Sequence, residues 1–456
     1  MRFHRLAEPL WYDEAVSVKS ASVPLSELTK QLTGGEDSNP PIFSLALKAW
    51  MRLAGDSDRA IHALPAVIGA AAVFSALWAG AALGGLSAGL CAAALTAAHP
   101  WVLVNSQEAR PYALLILLSL WSCFFLLRAL ESDDHRSWAG FAAATLANLY
   151  THNFAVFLLI GQCAWLWRAG REKWRPFLLA AAAAVALYGP WILFALRQTR
   201  ALPQLPPVDF HGLIFILFAF GGLWTMAGPA VAHWPAWTLP FFFIAEAAAA
   251  VYAVRKLRGK KPALADGLLA AAAVALAVPL LISLGRPIML AGRHAVVILP
   301  ITILLASLAL SALDNAAARL ALLAFFLAAC LGTDCAYFSH PKSYDKQIAE
   351  FLKEHDAPGM KLLLYPSYRA LSIARYFPKA AQSSEGFDVR SEDDLPDRLM
   401  LLVEEGRRLK PVQAALLGRY YRVKAERVFG NLAAAALERR GPTAPAPRSG
   451  SRARSR

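Results

Sequence analysis

The sequence of 456 residues has little charge and little cysteine, and it lacks several motifs of soluble enzymes. Only 17% of its residues are charged, 57% are hydrophobic, and the mean hydropathy is +0.41, which excludes a single soluble domain. The five cysteines form no Cys-x-x-Cys pair, so neither a disulfide framework nor a zinc site is indicated. No glycine-rich phosphate loop, serine nucleophile elbow or His/Glu metal spacing occurs. We therefore expect no cofactor, and the need for a divalent metal stays open.

The positive charge of the chain is spread in a pattern typical of membrane proteins. The formal net charge is +14, which would suit a nucleic-acid partner if Lys and Arg formed one patch. Instead, the basic residues stand in short runs between apolar segments, at 168–175 and 255–261, and in the tail at 448–456. This pattern predicts a lipid bilayer as partner and no nucleic acid.

Long apolar segments predict an all-α polytopic membrane bundle with about ten visible spans. A break at YTHN (150–153) divides one long apolar run into two short spans, and 197–234 is interpreted as an external loop that contains a surface helix. The predicted spans are 61–84, 87–106, 112–130, 138–151, 153–168, 176–196, 235–254, 264–284, 294–313 and 317–337.

The distribution of Lys and Arg between the connecting loops also predicts an orientation. The more basic loops are placed in the cytoplasm, so an even number of spans leaves both chain ends outside. Because an N-terminus outside requires something to export it, we expect one further helix upstream of this chain. The predicted domains are a first external loop at 1–60, a transmembrane domain at 61–337, an external α/β domain at 338–440 and a disordered basic tail at 441–456.

Within the external domain, periodicity predicts a helix near 344–354, a strand at 361–365 and helices near 371–377 and 395–408, followed by a final segment at 420–436.

Polar residues that hydropathy does not explain collect on the predicted external side. Asp13 and Glu14 form an adjacent carboxylate pair, in which one member can act as a general base or simply start a helix. Arg110 and Arg293 can bind a phosphate in bidentate fashion or lie at the interface as ordinary arginines. The other members of this set are Asn39, Gln107, Glu108, Tyr150, His152 and His294.

Four motifs of the chain occur in an order that resembles one known family. They are WYDEAVSV (11–18), HPWVLVNSQEARPYALLILL (99–118), YTHNFAVFLLIGQ (150–162) and RPIMLAGRHAVVILP (286–300). Over residues 8–365 the chain is similar to bacterial lipid-linked-sugar glycosyltransferases of the GT-C superfamily. It resembles their family 39 type, which includes relatives of the protein O-mannosyltransferases and of the lipid A aminoarabinose transferase.

The resemblance implies that a sugar moves from a polyprenyl-phosphate donor to an acceptor hydroxyl at the external face of the bacterial inner membrane, with inversion. Asp13 would be the catalytic base, and Arg110 or Arg293 would stabilise the leaving phosphate. Glu14, Glu108 and His152 would support these groups, and Gln107, Tyr112, Tyr150 and Asn39 would contribute to substrate binding. The external domain would select the acceptor, which is a glycan, lipid or protein. A lipid transporter and an inactive fragment are the alternatives.

Overall fold

The computed structural model describes residues 1–34, 39–132, 134–201, 239–288, 294–384, 395–404 and 411–440. These residues form two compact units. The helical unit contains residues 1–7 and 17–340, and the C-terminal unit contains residues 8–16 together with the described residues from 341 onward. Residues 8–16, which carry Asp13 and Glu14, therefore belong to the same unit as the C-terminal sheet described below, although they precede it by more than 300 positions.

The described part of the chain up to residue 340 is built from helices, as the apolar segments predict. Every predicted span overlaps a helix, and five of the described helices, α4, α6, α9, α11 and α13, are long and apolar enough to cross a membrane. The helices are α1 (Tyr12–Ser22), α2 (Leu25–Gly34), α3 (Pro41–Ala54), α4 (Asp58–Ala98), α5 (Pro100–Asn105), α6 (Tyr112–Ser132), α7 (His135–Leu149), α8 (Ala155–Ala169), α9 (Trp174–Ala201), α10 (Leu239–Lys260), α11 (Pro262–Gly285), α12 (Leu299–Ser311) and α13 (Ala316–Phe338).

Helix α4 is a hairpin of two helical segments, because it breaks at Gly84-Gly85. Gly85 has a φ of 76°, which is open to glycine and costly for other residues. A Cβ added to Gly80 would lie 2.9 Å from the carbonyl oxygen of Ala88, so residues 58–83 and 86–98 fold back on each other at close range. The predicted break near residue 85 is confirmed as a break between two helical segments.

The break predicted at YTHN is also confirmed. Helix α7 ends at Leu149 and α8 begins at Ala155, and the residues between them form a tight turn. The backbone N–H of His152 donates to the carbonyl of Asn148, which satisfies one of the last carbonyls of α7. The surface helix predicted within 197–234 falls largely on 202–238, outside the described residues.

The C-terminal unit is a small α/β domain, as predicted. Its four-stranded sheet has the order β1-β2-β4-β3, with β1 parallel to β2 and the other pairs antiparallel. A core that includes Phe351, Leu364 and Leu402 packs on one face. The strands are β1 (Lys361–Tyr365), β2 (Arg398–Glu404), β3 (Tyr421–Phe429) and β4 (Leu432–Arg439), and the helices are α14 (Asp345–Glu354), α15 (Ala370–Ala374) and α16 (Pro411–Tyr420).

The prediction of a helix near 395–408 is wrong, because residues 398–404 form strand β2. This strand lies between β1 and β4, and both of its faces are covered: Met400 and Leu402 belong to one apolar core, and Leu399 to another. A strand that is buried on both faces has a continuous apolar run without alternation, which periodicity does not distinguish from a buried helix. The helix predicted near 371–377 is shorter than expected and ends at Ala374.

Candidate active site

The two acidic residues of the WYDEA motif lie in the first turn of α1 and differ in their surroundings. Asp13 is half-buried, whereas Glu14 is fully buried. The Oε1 atom of Glu14 lies 2.5 Å from Nζ of Lys342, and its Oε2 atom accepts a hydrogen bond of 3.2 Å from the backbone N–H of Trp11. This second contact is the reach-back of a third-position Glu that caps a helix N-terminus. Glu14 therefore has a structural position, and Asp13 is the more accessible carboxylate.

A second group of predicted site residues lies in the helical unit, where two tight turns meet. The turn between α5 and α6 carries Arg110, and Tyr112 opens α6. The ring of Tyr112 lies 5.3 Å from the ring of His152, which comes from the turn between α7 and α8. Tyr112 is 3% exposed and His152 is 5% exposed, although both stand at helix ends. The structure thus brings together three of the predicted residues, and we refer to Arg110, Tyr112 and His152 as the turn cluster.

His152 is held as a neutral imidazole with a defined tautomer. Burial lowers its pKa well below the usual value, and the nearby His294 and Arg110 lower it further. Its Nδ1 atom accepts a hydrogen bond of 3.1 Å from the backbone N–H of Phe154. The proton of a neutral imidazole must then be on Nε2, so His152 offers one N–H donor beside the guanidinium of Arg110.

Two other predicted residues contact the backbone of neighbouring segments. The side-chain amide of Gln107 donates to the carbonyl oxygens of Met1, Arg2 and His4, at 2.7 to 3.3 Å, and so fixes the first residues of the chain. The hydroxyl of Tyr150 donates to the carbonyl of Leu187 in α9 at 2.9 Å.

Asn39 is half-buried just before α3. The backbone N–H of Ile42 in this helix donates to the carbonyl of Tyr150, so the segment that follows Asn39 reaches the turn between α7 and α8. Glu108 is half-buried in the same turn as Arg110.

Arg293 lies outside the described residues, but its neighbour His294 is described. The ring of His294 packs on Phe154 with a centroid distance of 4.4 Å and lies 5.8 Å from His152. His294 therefore adds a titratable group to the edge of the turn cluster. Among the described residues, no three His, Cys, Asp or Glu side chains are grouped so that they could hold a metal ion.

Sequence reasoning missed Lys342, the partner of Glu14. The two residues are separated by 328 positions, and Lys342 follows the last apolar segment in a stretch, SHPKSYDK, with no distinguishing motif. Only the fold shows that residues 8–16 and the segment after α13 belong to one unit.

Two comparisons bear on the class of this protein. A family model described as dolichyl-phosphate-mannose-protein mannosyltransferase matches residues 38–194, a range that contains the whole turn cluster. The structure of ArnT from Cupriavidus metallidurans bound to undecaprenyl phosphate is similar over 95% of this chain and 96% of that chain, with a TM-score of 0.53 and 13% identity. The same protein in the apo state gives 0.56 and 13%, over 94% of each chain. None of the curated proteins matches the chain.

The fold is therefore that of a polytopic membrane protein of the ArnT type with a small C-terminal sheet domain. The chain resembles the GT-C glycosyltransferases of the protein mannosyltransferase and ArnT type. Together, the family model and the fold support a membrane glycosyltransferase.

Proposed function

We propose that this chain transfers a sugar from a polyprenyl phosphate to an acceptor hydroxyl at the extracytoplasmic face of a bacterial inner membrane, with inversion at the anomeric carbon. The observation that carries the proposal is the turn cluster, in which a cation and two buried polar rings lie at helix ends of an otherwise apolar bundle. Ionisable residues in such surroundings are costly, and they mark functional sites in membrane proteins.

The turn cluster has the chemistry needed to hold a lipid-linked phosphate. Arg110 supplies a planar, permanently charged donor, and the Nε2–H of His152 supplies a neutral one. A phosphate bound at helix ends would leave its polyprenyl chain among the apolar side chains of the bundle. The ArnT structure that contains undecaprenyl phosphate supports this class of ligand, because the two proteins share a fold.

Asp13 is proposed as the general base, since it is the more accessible member of the acidic pair. Its carboxylate takes the proton from the acceptor hydroxyl as the oxygen forms a bond to the anomeric carbon. The bond between that carbon and the phosphate oxygen breaks, and the electron pair leaves with the polyprenyl phosphate. Arg110 stabilises the charge that grows on this leaving group.

The remaining predicted residues act on these groups indirectly. Gln107 fixes residues 1–4, which lead into the acidic motif. Tyr150 ties the turn of His152 to α9, and Asn39 and Glu108 lie on the segments that border the same turns. On the basis of the motif at 286–300, Arg293 is proposed as a second phosphate ligand. The C-terminal unit is proposed to select the acceptor.

The test is donor turnover by the full chain reconstituted in liposomes. A panel of polyprenyl-phosphate sugars is offered, and the release of polyprenyl phosphate is measured. The wild type should turn over one donor, and Asp13→Asn should reduce kcat by about a hundredfold to ten-thousandfold, the usual contribution of a general base. Asp13→Asn should still bind polyprenyl phosphate. Full turnover by this variant would exclude Asp13 as the base, and lipid movement without sugar release would favour a transporter.

A further inference from the structure

Within the C-terminal unit, Lys342 joins the acidic motif to the segment after α13 through two separate contacts. Its ammonium lies 2.5 Å from Glu14, and the two side chains are 11% and 0% exposed. Its backbone N–H donates to Oε2 of Glu8 at 2.9 Å. One residue therefore contacts both ends of the segment that contains the acidic motif.

Two further contacts fix the middle of this segment. The backbone N–H of Leu10 donates to the hydroxyl of Tyr376 at 2.9 Å, and the ring of Tyr12 packs on that of Tyr368 at 4.7 Å. Residues 8–14 are thus held against the C-terminal unit on both sides of Trp11. The backbone direction at the start of α1, and with it the direction of Asp13, depends on these contacts.

The charge of Lys342 matters as much as its position. Glu14 is fully buried next to Asp13 in the chain, and a buried carboxylate without a counter-ion either takes up a proton or repels its neighbour. The ammonium of Lys342 contacts Glu14, and its backbone N–H contacts Glu8, which lies within the segment itself. Lys342 is the cation that pairs with Glu14, whose other carboxylate oxygen caps α1 by accepting from the N–H of Trp11.

We propose that Lys342 is a positioning residue for the candidate base Asp13: by pairing with Glu14 and binding Glu8, it sets the first turn of α1 and isolates Asp13 from the charge of its neighbour. The proposal rests on the proposed function. It gives the C-terminal unit a part in catalysis in addition to acceptor selection, and it divides the acidic pair into a reacting carboxylate and a structural one.

Four variants and one control test this assignment. Lys342→Met removes the cation and keeps the stem, Lys342→Arg keeps a cation, Glu14→Gln removes the buried charge, and Glu14→Gln/Lys342→Met replaces the ion pair by a neutral pair. Lys346→Met is the control, because Lys346 is exposed on α14 of the same unit. Each variant is assayed in liposomes for kcat and for the KM of the donor, and its folding is checked by thermal unfolding.

We expect Lys342→Met to lower kcat at least tenfold while the donor KM changes less than twofold, since the phosphate ligands lie elsewhere in the sequence. Lys342→Arg should retain more activity than Lys342→Met. The double variant should recover at least fivefold relative to Lys342→Met, because no charge is then left without a partner. A purely structural role for the lysine would instead lower the unfolding temperature of Lys342→Met together with its activity.

The outcomes separate the two proposals. If Asp13→Asn is inactive but Lys342→Met behaves like Lys346→Met, or if the double variant is as impaired as Lys342→Met, the role of Lys342 is wrong and the proposed function stands. If the wild type turns over no donor, or if Asp13→Asn is fully active, the proposed function fails and the role of Lys342 fails with it.

Discussion

The two units of this protein bury polar side chains in different ways. In the helical unit, some buried hydroxyl and amide groups donate to carbonyls of their own helix, as Thr96 does to Ala92 at 2.7 Å, and others bond neutral side chains of a neighbouring helix, as Asn148 does to Ser119 at 2.9 Å. In the C-terminal unit, buried acids have cationic partners, as in Glu14–Lys342 and in Asp345–Arg369, which are 2.5 and 3.2 Å apart.

This difference follows from the surroundings of each unit. A neutral donor in an apolar bundle can be satisfied by a carbonyl of its own helix or by a neutral side chain of the next helix, without a charged partner. An ion pair in a small domain ties together segments that are distant in sequence, and it is costly to break. A cation among the polar groups of the bundle is therefore a stronger indication of a binding site than a hydroxyl group is. For this reason the proposed donor site is based on Arg110.

The largest expected effect lies in the C-terminal unit, at Arg369. Its guanidinium contacts both Asp345 and Glu404 at 3.2 Å, and Asp345 is fully buried. Arg369→Met should destabilise this unit by about 3–5 kcal/mol, because a buried carboxylate loses its partner. The measurement is thermal unfolding of the full chain, followed by protease cleavage within residues 341–440. Asp345→Asn added to Arg369→Met should restore much of the loss, and an equal loss in both variants would contradict the ion-pair account.

A smaller effect is expected on donor binding by the helical unit. Arg110→Ala removes a charge-assisted contact, which is worth about 1.5–3 kcal/mol, so the donor KM should rise about tenfold to a hundredfold. Arg110→Lys should recover part of this loss, because it keeps the charge but not the planar fork. Arg319→Ala, at the start of α13, is the matched control. An unchanged KM in Arg110→Ala would remove Arg110 from the donor site.

The packing of the bundle gives the next prediction. A Cβ on Gly161 in α8 would lie 2.5 Å from the carbonyl oxygen of Ala271 in α11. Gly161→Ala should therefore destabilise the helical unit by about 1–3 kcal/mol through overpacking, as measured by thermal unfolding in detergent. Gly259→Ala is the control, since nothing lies within 4 Å of that position. Equal unfolding temperatures for the two variants would show that α8 and α11 can separate at little cost.

The smallest effect concerns pH and His152. Because burial holds the pKa of His152 below its unfolded value of about 6.5, the unfolded state binds a proton that the folded state does not. Stability should be constant above about pH 6.5 and should fall below it by up to about 1.4 kcal/mol per pH unit. His152→Gln should lack this component. Parallel stability curves for wild type and variant between pH 8 and 5 would contradict a neutral, buried His152.

The two units also differ in how well the sequence predicts them. In the bundle, apolar length and turn residues are direct signals, and the breaks at Gly84-Gly85 and at 150–153 are correct. In the C-terminal unit, β1 is predicted with its correct bounds, but β2 is mistaken for a helix because it is buried on both faces. A local sequence pattern does not show whether elements from distant parts of the chain will cover both faces of a strand.

The candidate site also combines residues that the sequence predicts with one that it does not. The sequence identifies Arg110 and His152 because charge and polarity at helix ends are unusual in apolar surroundings, and it identifies Tyr112 through the family motif. The structure brings these residues together. It gives Glu14 a catalytic role, whereas the contacts of this residue indicate a structural one. Lys342 was not predicted, since its importance depends on a contact across most of the chain.

The hairpin of α4 has a consequence for the biogenesis of the protein. Its two halves are joined only by Gly84-Gly85, so no loop of Lys or Arg lies between them to orient either half during membrane insertion. We therefore expect the halves to enter the bilayer as one folded pair, with an orientation that depends on the charged residues that flank the pair, such as Arg59. Insertion of Lys or Arg at residues 84–86 should therefore change the membrane orientation of the two halves before it has any effect on catalysis.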